Sequence, residues 1–151
     1  MSGIRLADIP DIDEITKLGS ELLEQSVYAG IKPDVSKFRL MVAGLIGSKT
    51  AVVYVVTDDD DKPQGFFLGV IDDLFFSRQR IATDLAVYVR KAFRSQAPKM
   101  FRMFIKWAKS KPRVAEISFG ISSGIGNVDR VGRMYENLGL AHVGGIYRVG
   151  V

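Results

Sequence analysis

The chain has no cysteine and only one histidine, His142, among its 151 residues. The first absence excludes a disulfide framework, a thiolate nucleophile and a cysteine-ligated zinc site together. The second removes a histidine cluster as a metal centre. No apolar run approaches the roughly 20 residues that span a bilayer. The opening MSGIRLADIPDID also lacks the long apolar core of a secretory signal. These absences predict a soluble cytoplasmic protein with no metal and no membrane partner. No internal repeat or low-complexity linker divides the sequence, so residues 1–151 read as one domain. That length buries roughly two thirds of the unfolded surface in a single core.

What the chain does have is positive charge. Lys and Arg number 21 against 17 Asp and Glu, a net charge of +4 with a pI near 9.4. Such an excess suits a polyanionic partner, either nucleic acid or a phosphorylated small molecule. The positives crowd between Arg78 and Arg113, whereas the acids gather near the N-terminus and in Asp58 to Asp61. The four consecutive Asp residues could be taken for a cation site, but an acidic turn between strands is ordinarily just solvated.

Hydropathy patterning supplies the elements. Gly3 to Leu6 reads as a first strand, and Asp8 with Pro10 opens a helix whose apolar positions are Ile12, Ile15, Leu18, Leu22 and Leu23, ending near Gln25. Asp34 caps a second helix carrying Val35, Phe38, Met41, Val42 and Leu45 on one face, closed by Gly47. Ala51 to Val56 and Gln64 to Ile71 are strands on either side of a polar turn. The loop from Asp72 to Arg80 carries Leu74, Phe75 and Phe76, which either line a pocket or tuck under the loop.

The stretch from Ala82 to Lys111 organises the rest. An apolar strand, Leu85 to Val89, runs through a basic turn, Arg90 to Gln96, into a helix-period segment rich in Lys and Arg. A helix start leaves its first four N–H groups unpaired at the positive end of the macrodipole, so the turn is suited to an anion. Arg94 and Lys99 would add full charges. Beyond it come a strand from Val114 to Phe119, a polar loop from Ser122 to Asn127 and a helix from Asp129 to Leu138 stopped by Gly139. Ala141 to Val151 then forms one strand, or two broken at Gly144-Gly145. The order β-α-α-β-β-β-α-β-α-β describes a mixed α/β sheet with a meander first and a βαβ unit after it.

This order, together with LAVYVRKAFRSQAPKM and RMYENLGLAHVGGIYRV, resembles the GNAT N-acetyltransferase superfamily over nearly the whole chain. The resemblance implies a mostly antiparallel central sheet flanked by helices. It also implies acetyl-CoA as cofactor and direct transfer of the acetyl group to a primary amine of a small molecule or protein. The family's phosphate loop has the form [QR]-x-x-G-x-[GA], and its last helix a pattern like L-Y-E-x-L-G-[FY]. Met134 to Leu140 fits the second. In the first, Arg94 leads, Ala97 stands where glycine is usual and Lys99 where a second small residue is usual. An alanine suffices if its φ is negative, and Lys99 either crowds the site or swings outward. Pro98 removes one amide donor, at a position where that donor can be spare.

By the same resemblance, main-chain groups of Val87 and Val89 pair with the pantetheine arm, while Arg94, Ser95, Gln96, Ala97 and Lys99 face the pyrophosphate. Tyr135 protonates the departing thiolate, unless it is a core tyrosine bonded to backbone. Asp84 is the base, unless it pairs with an arginine and a water chain moves the proton. Asn127 contacts the cofactor or caps the last helix, and His142 is structural. The amine pocket is expected at Tyr28 to Phe38 and Leu74 to Arg80. A different outcome is a silent GNAT-fold protein whose basic face binds a partner. Nucleic acid, bound through Lys99, Arg102, Lys106, Lys109 and Lys111, is the least favoured partner, because that helix also carries Met100, Met103, Phe104, Ile105 and Trp107 and must be largely buried. Edge strands at the chain end allow a homodimer.

Overall fold

The computed structural model describes residues 3–121, 124 and 127–151. Five strands form one sheet in the order β1-β2-β3-β4-β5: Gly3–Leu6, Ala51–Thr57, Pro63–Asp73, Arg80–Val89 and Val114–Ser118. The first three pairings are antiparallel and the last, β4 with β5, is parallel. Four helices flank the sheet: α1 Ile12–Gln25, α2 Val35–Leu45, α3 Ala97–Lys109 and α4 Val128–Asn137. A crossover through α3 is what makes β4 and β5 parallel, since two parallel neighbours need a long connection.

Every residue of β2 is buried, which explains why AVVYVVT is an unbroken apolar run rather than an alternation. Val52, Tyr54 and Val56 face α3, and Val53 and Val55 face α1 and α2. Phe67 and Ile71 of β3 join Met100, Phe101, Phe104 and Ala108 of α3 in the first layer. In the second, Phe66 and Leu68 pack with Ile15, Leu18 and Val42. Local chemistry closes the elements. Asp34 Oδ1 accepts from the Lys37 amide at the α2 start, and Gly47 takes φ +79° just past its end. In the acidic turn, Asp58 accepts from the amides of Asp60 and Lys62 and from Gln64 Nε2, so its carboxylate is used by the turn itself.

The expected closing strand is the main departure. From Ala141 to Val151 the chain pairs with no strand and is exposed throughout, and the order ends β-α-β-α. Gly144, Gly145 and Gly150 remove side chains from a segment of eleven residues, leaving no continuous face to bury. The free edge of β5 therefore has no partner among the described residues. Of the polar loop expected over Ser122 to Asn127, only Gly124 and Asn127 fall within the described residues.

Gly69 shows how closely α3 lies on the sheet: a Cβ added there would stand 2.4 Å from Cε2 of the buried Phe104 ring. Gly69→Ala is expected to destabilise by about 1–3 kcal/mol through overpacking. Gly44→Ala, in α2 with nothing within 4 Å of the new methyl, should stabilise by about 0.5–1 kcal/mol. Thermal unfolding of both variants checks the pair, and equal Tm values would refute the close approach.

Candidate active site

The site begins where two strands part. β3 pairs with β4 as far as Val89, but the β4–β5 ladder stops at Thr83 and Ser118. Asp84 to Val89 thus keep one edge hydrogen-bonded and lack β5 on the other. The register across β3 shifts at the same place: Gly69 opposes Asp84 and Leu68 opposes Ala86, which leaves Leu85 as the extra residue of a bulge. A bulge bends its strand and sharpens the twist, so β4 turns away from β5. It also resets the alternation, putting Ala82, Val87 and Val89 in the same core layer although odd and even numbers are mixed.

A groove of about 1440 Å³ opens at the parting, at the carboxyl ends of the two parallel strands. Residues 84–89 of β4 form its floor, with α1, α3, α4 and the α1–α2 loop as walls. Its basic end lies just past Val89, where a 3-10 turn, Lys91–Gln96, leads directly into α3. Lys91, Arg94, Ser95, Ala97 and Pro98 line this end. Ala97 has φ −56°, an ordinary helical value that needs no glycine. Arg94 Nε donates to the Val89 carbonyl at 3.1 Å, which pins the guanidinium beside the strand end. Val87, Val89 and Asn127 also line the groove, whereas Gln96 and Lys99 do not. Lys99 is exposed, turned away from the groove rather than crowding it.

The two candidate proton-transfer groups meet at one backbone residue. Asp84 Oδ1 accepts from the Gly120 amide at 3.3 Å, and Tyr135 Oη donates to the Gly120 carbonyl at 2.9 Å. Asp84 pairs with no arginine among the described residues. Burial pushes its carboxyl above the usual aspartate value, against the lowering effect of its hydrogen bonds. Burial and then the Asp84 charge push the Tyr135 phenol up as well, so it keeps its proton at neutral pH. The Tyr135 ring is fixed by Phe101 and Phe119, each with its ring centre 5.4 Å away. Asn127 Oδ1 accepts from the Arg130 amide and caps α4. His142 is exposed on the C-terminal segment.

One polar network had no counterpart in the sequence reading. Glu21 of α1 receives Nη2 of Arg90 at 2.5 Å and the Tyr88 hydroxyl at 3.1 Å, while Gln25 Nε2 donates to that hydroxyl and Arg90 Nη1 to Gln64 Oε1. Hydrogen bonding from Arg90 holds the Glu21 carboxyl below its ordinary value. The signal available was a glutamate and a glutamine one turn apart on α1, together with a tyrosine breaking the apolar face of β4.

At the other end, Tyr28, Ile31, Lys32, Val35 and Phe38 line the groove, within the expected Tyr28 to Phe38 stretch. The Leu74 to Arg80 loop contributes nothing to its walls. Phe75 and Phe76 neither line a pocket nor tuck under the loop: they are 98% and 72% exposed. The C-terminal segment returns over this end, with the Arg148 guanidinium 5.1 Å from the centre of the Tyr28 ring.

No protein-family model and no curated protein sequence matches the chain. Solved structures do match in shape. A possible acetyltransferase from Clostridium difficile superposes with a TM-score of 0.73 at 18% identity, covering 100% of this chain and 98% of that one. A glucosamine-6-phosphate N-acetyltransferase from Arabidopsis thaliana gives 0.71 at 18% identity, covering 100% and 98%. A predicted acetyltransferase from Clostridium acetobutylicum, solved with acetyl-CoA, gives 0.72 at 15% identity, covering 99% and 96%. Sheet order and end-to-end superposition agree: the chain has the fold of the GNAT acetyltransferases.

Proposed function

We propose that the protein transfers an acetyl group from acetyl-CoA to a primary amine of a small molecule or a protein. The observation that carries this reading is the edge of β4 with no strand partner among the described residues, facing a groove with a basic end past Val89 and with Asp84 and Tyr135 at its centre. The residues fit such a ligand. The β4 backbone from Asp84 to Val89 lacks a β5 partner, so main-chain groups of Val87 and the Val89 amide face the groove, the Val89 carbonyl already accepting from Arg94 Nε. Lys91 and Arg94 supply positive charge for a diphosphate beside Ser95, while the Ala97 amide is used within the turn, donating to the Arg94 carbonyl. No acid stands in the first turn of α3 to repel the diphosphate. Bound acetyl-CoA would supply an activated acyl thioester.

The chain's own groups then handle protons. An incoming amine arrives as an ammonium and must lose a proton before it can attack. Asp84, whose pKa burial raises, is a stronger base than an exposed aspartate. Tyr135 keeps its proton on the Gly120 carbonyl, the backbone-bonded arrangement, and would have to release that acceptor to donate toward a departing thiolate. The groove walls orient the acceptor through Tyr28, Ile31, Val35 and Phe38. The fold neighbours named for amine acetylation support the reaction class, and the acceptor itself is left to an amine screen that follows free thiol release.

Tyr135→Phe is expected to lower kcat by about a hundredfold while leaving the thermal shift produced by acetyl-CoA intact. Unchanged turnover would remove Tyr135 from the chemistry, and a lost thermal shift in the unmodified protein would overturn the reading itself.

Asp84→Asn separates catalysis from stability. A carboxyl whose folded pKa exceeds its unfolded one adds stability below the unfolded value and loses it as pH rises through the folded value. The variant should therefore unfold at a higher temperature than the parent at pH 7, with the gap closing as pH falls into the ordinary aspartate range. Its kcat/KM should drop by about a hundredfold or more, without the acidic limb that the parent shows above that range. A variant less stable than the parent at pH 7 would contradict the burial argument.

A further inference from the structure

Between Asp84 and Glu116 the chain has no acidic residue and nine Lys or Arg. The fold divides these charges. Arg90 is paired with Glu21, and Lys91 and Arg94 line the groove. On α3, the cations Lys99, Arg102, Lys106 and Lys109 fall within about 80° of the helix circumference. That face lies opposite the buried Met100, Phe101, Phe104 and Ala108. The apolar residues do turn inward, and for that reason the charges are left together outside. Among the described residues the ion pairs join Arg5, Lys17, Arg39, Lys62 and Arg90 to acids, and none involves α3. Seven uncompensated cations remain on this side once Lys111, Arg113 and Arg78 are added.

The basic face has relief. Arg102, Lys106 and Lys109 surround a hollow of about 480 Å³ between α3 and α4, floored by Ile105 and Leu138 and edged by the Asn137 amide. Beyond the end of α3, Lys111 sits over the Trp107 ring and Arg113 Nη1 donates to the Arg78 carbonyl at 3.2 Å. Arg80 holds the same turn through the Pro112 carbonyl. Arg113 adopts φ +63°, a conformation that glycine or asparagine would take more easily. The hairpin tip is thus fastened to the end of α3, and it presents Phe75 and Phe76 outward, edge to face with ring centres 5.1 Å apart.

We propose that this face, from the α3–α4 hollow to the Phe75–Phe76 tip, binds single-stranded nucleic acid. Cations every three or four residues, about 4.5–6 Å of helix rise apart, suit a flexible phosphodiester chain. The apolar floor with its amide takes an unstacked base, and an exposed ring at the tip offers a second stacking surface. A second copy of the chain is disfavoured as occupant by like charge. The hollow shares Arg102, Asn137 and Leu138 with the groove wall, but Ile105, Lys106, Lys109, Phe75 and Phe76 lie outside the groove, so the face can be tested apart from acetyl transfer.

The test is fluorescence anisotropy with a labelled mixed-sequence 20-nucleotide DNA strand across a salt series. Binding should weaken with salt, and Lys106→Gln/Lys109→Gln should flatten the log–log slope by about 1.4, at roughly 0.7 per lost phosphate contact. Phe75→Ser/Phe76→Ser should weaken binding at least about fivefold, and Lys17→Gln/Lys37→Gln on the far side should change nothing. These surface variants should keep the parent Tm. The proposal is overturned by absent binding at low salt, by equal loss from the far-side pair, or by indifference to the Phe pair. Retention on phosphatidylserine vesicles without oligonucleotide binding would assign the face to a membrane instead. Displacement of the strand by millimolar acetyl-CoA would return the hollow to the groove's own ligand.

Discussion

The groove follows from the parting of β4 and β5 after Thr83 and Ser118. Had the parallel ladder continued, the backbone of residues 84–89 would be satisfied by β5 and no groove would exist. Two features hold the strands apart. The bulge at Leu85 bends β4, and an aromatic wedge fills the space behind the opening: Phe101 from α3, Phe119 from the end of β5 and Tyr135 from α4. Their rings contact one another and, through Phe101 and Phe119, the central Phe67. The wedge is thus continuous with the core, and the gap is as rigid as the packing beneath it.

The second constraint sets the width of the groove at its basic end. Arg90 leaves β4 at the point where the turn toward α3 begins, and its bond to Glu21 ties that point to α1. Both side chains are about one third exposed, 31% and 33%. Solvent screening therefore limits the pair to on the order of 1 kcal/mol. Its value is positional: Tyr88, Gln25 and Gln64 complete a network that fixes α1 against the strand end. Arg94 is then free of that task and bonds the Val89 carbonyl, placing a cation beside the helix start.

How much of this can be read from the sequence depends on the range of the interactions. The strands and helices up to Val89 are written in local periodicity: Ile12, Ile15 and Leu18 at helical spacing, and the unbroken AVVYVVT of a doubly covered strand. The anion-suited turn is legible because it is a contiguous strand, loop and helix. The Leu85 bulge is not, since apolar residues flank it on both sides and only the register against Leu68 and Gly69 reveals it. Nor is the meeting of Asp84 with Tyr135 through Gly120, which joins residues 36 and 15 positions apart. Ala141 to Val151 forms no strand because its glycines and the lack of a covering element among the described residues deny it a buried face.

The distribution of charge shows one sequence property serving two ends. Acids are concentrated on the α1 side, where they are consumed in pairs with Arg5, Lys17, Arg39 and Arg90. The stretch around α3 has none to spend. Within the groove burial alone raises the cost of ionising Asp84, with no neighbouring carboxylate among its causes. The scarcity also leaves the phosphate-suited end unopposed. Outside the groove the same scarcity leaves the cations of α3 unneutralised along a full helix face, since an amphipathic helix that buries Met100, Phe104 and Ala108 must present its remaining residues to solvent. A single local bias in composition, folded around one amphipathic helix, therefore leaves cations both at one end of the groove and along an exposed helix face.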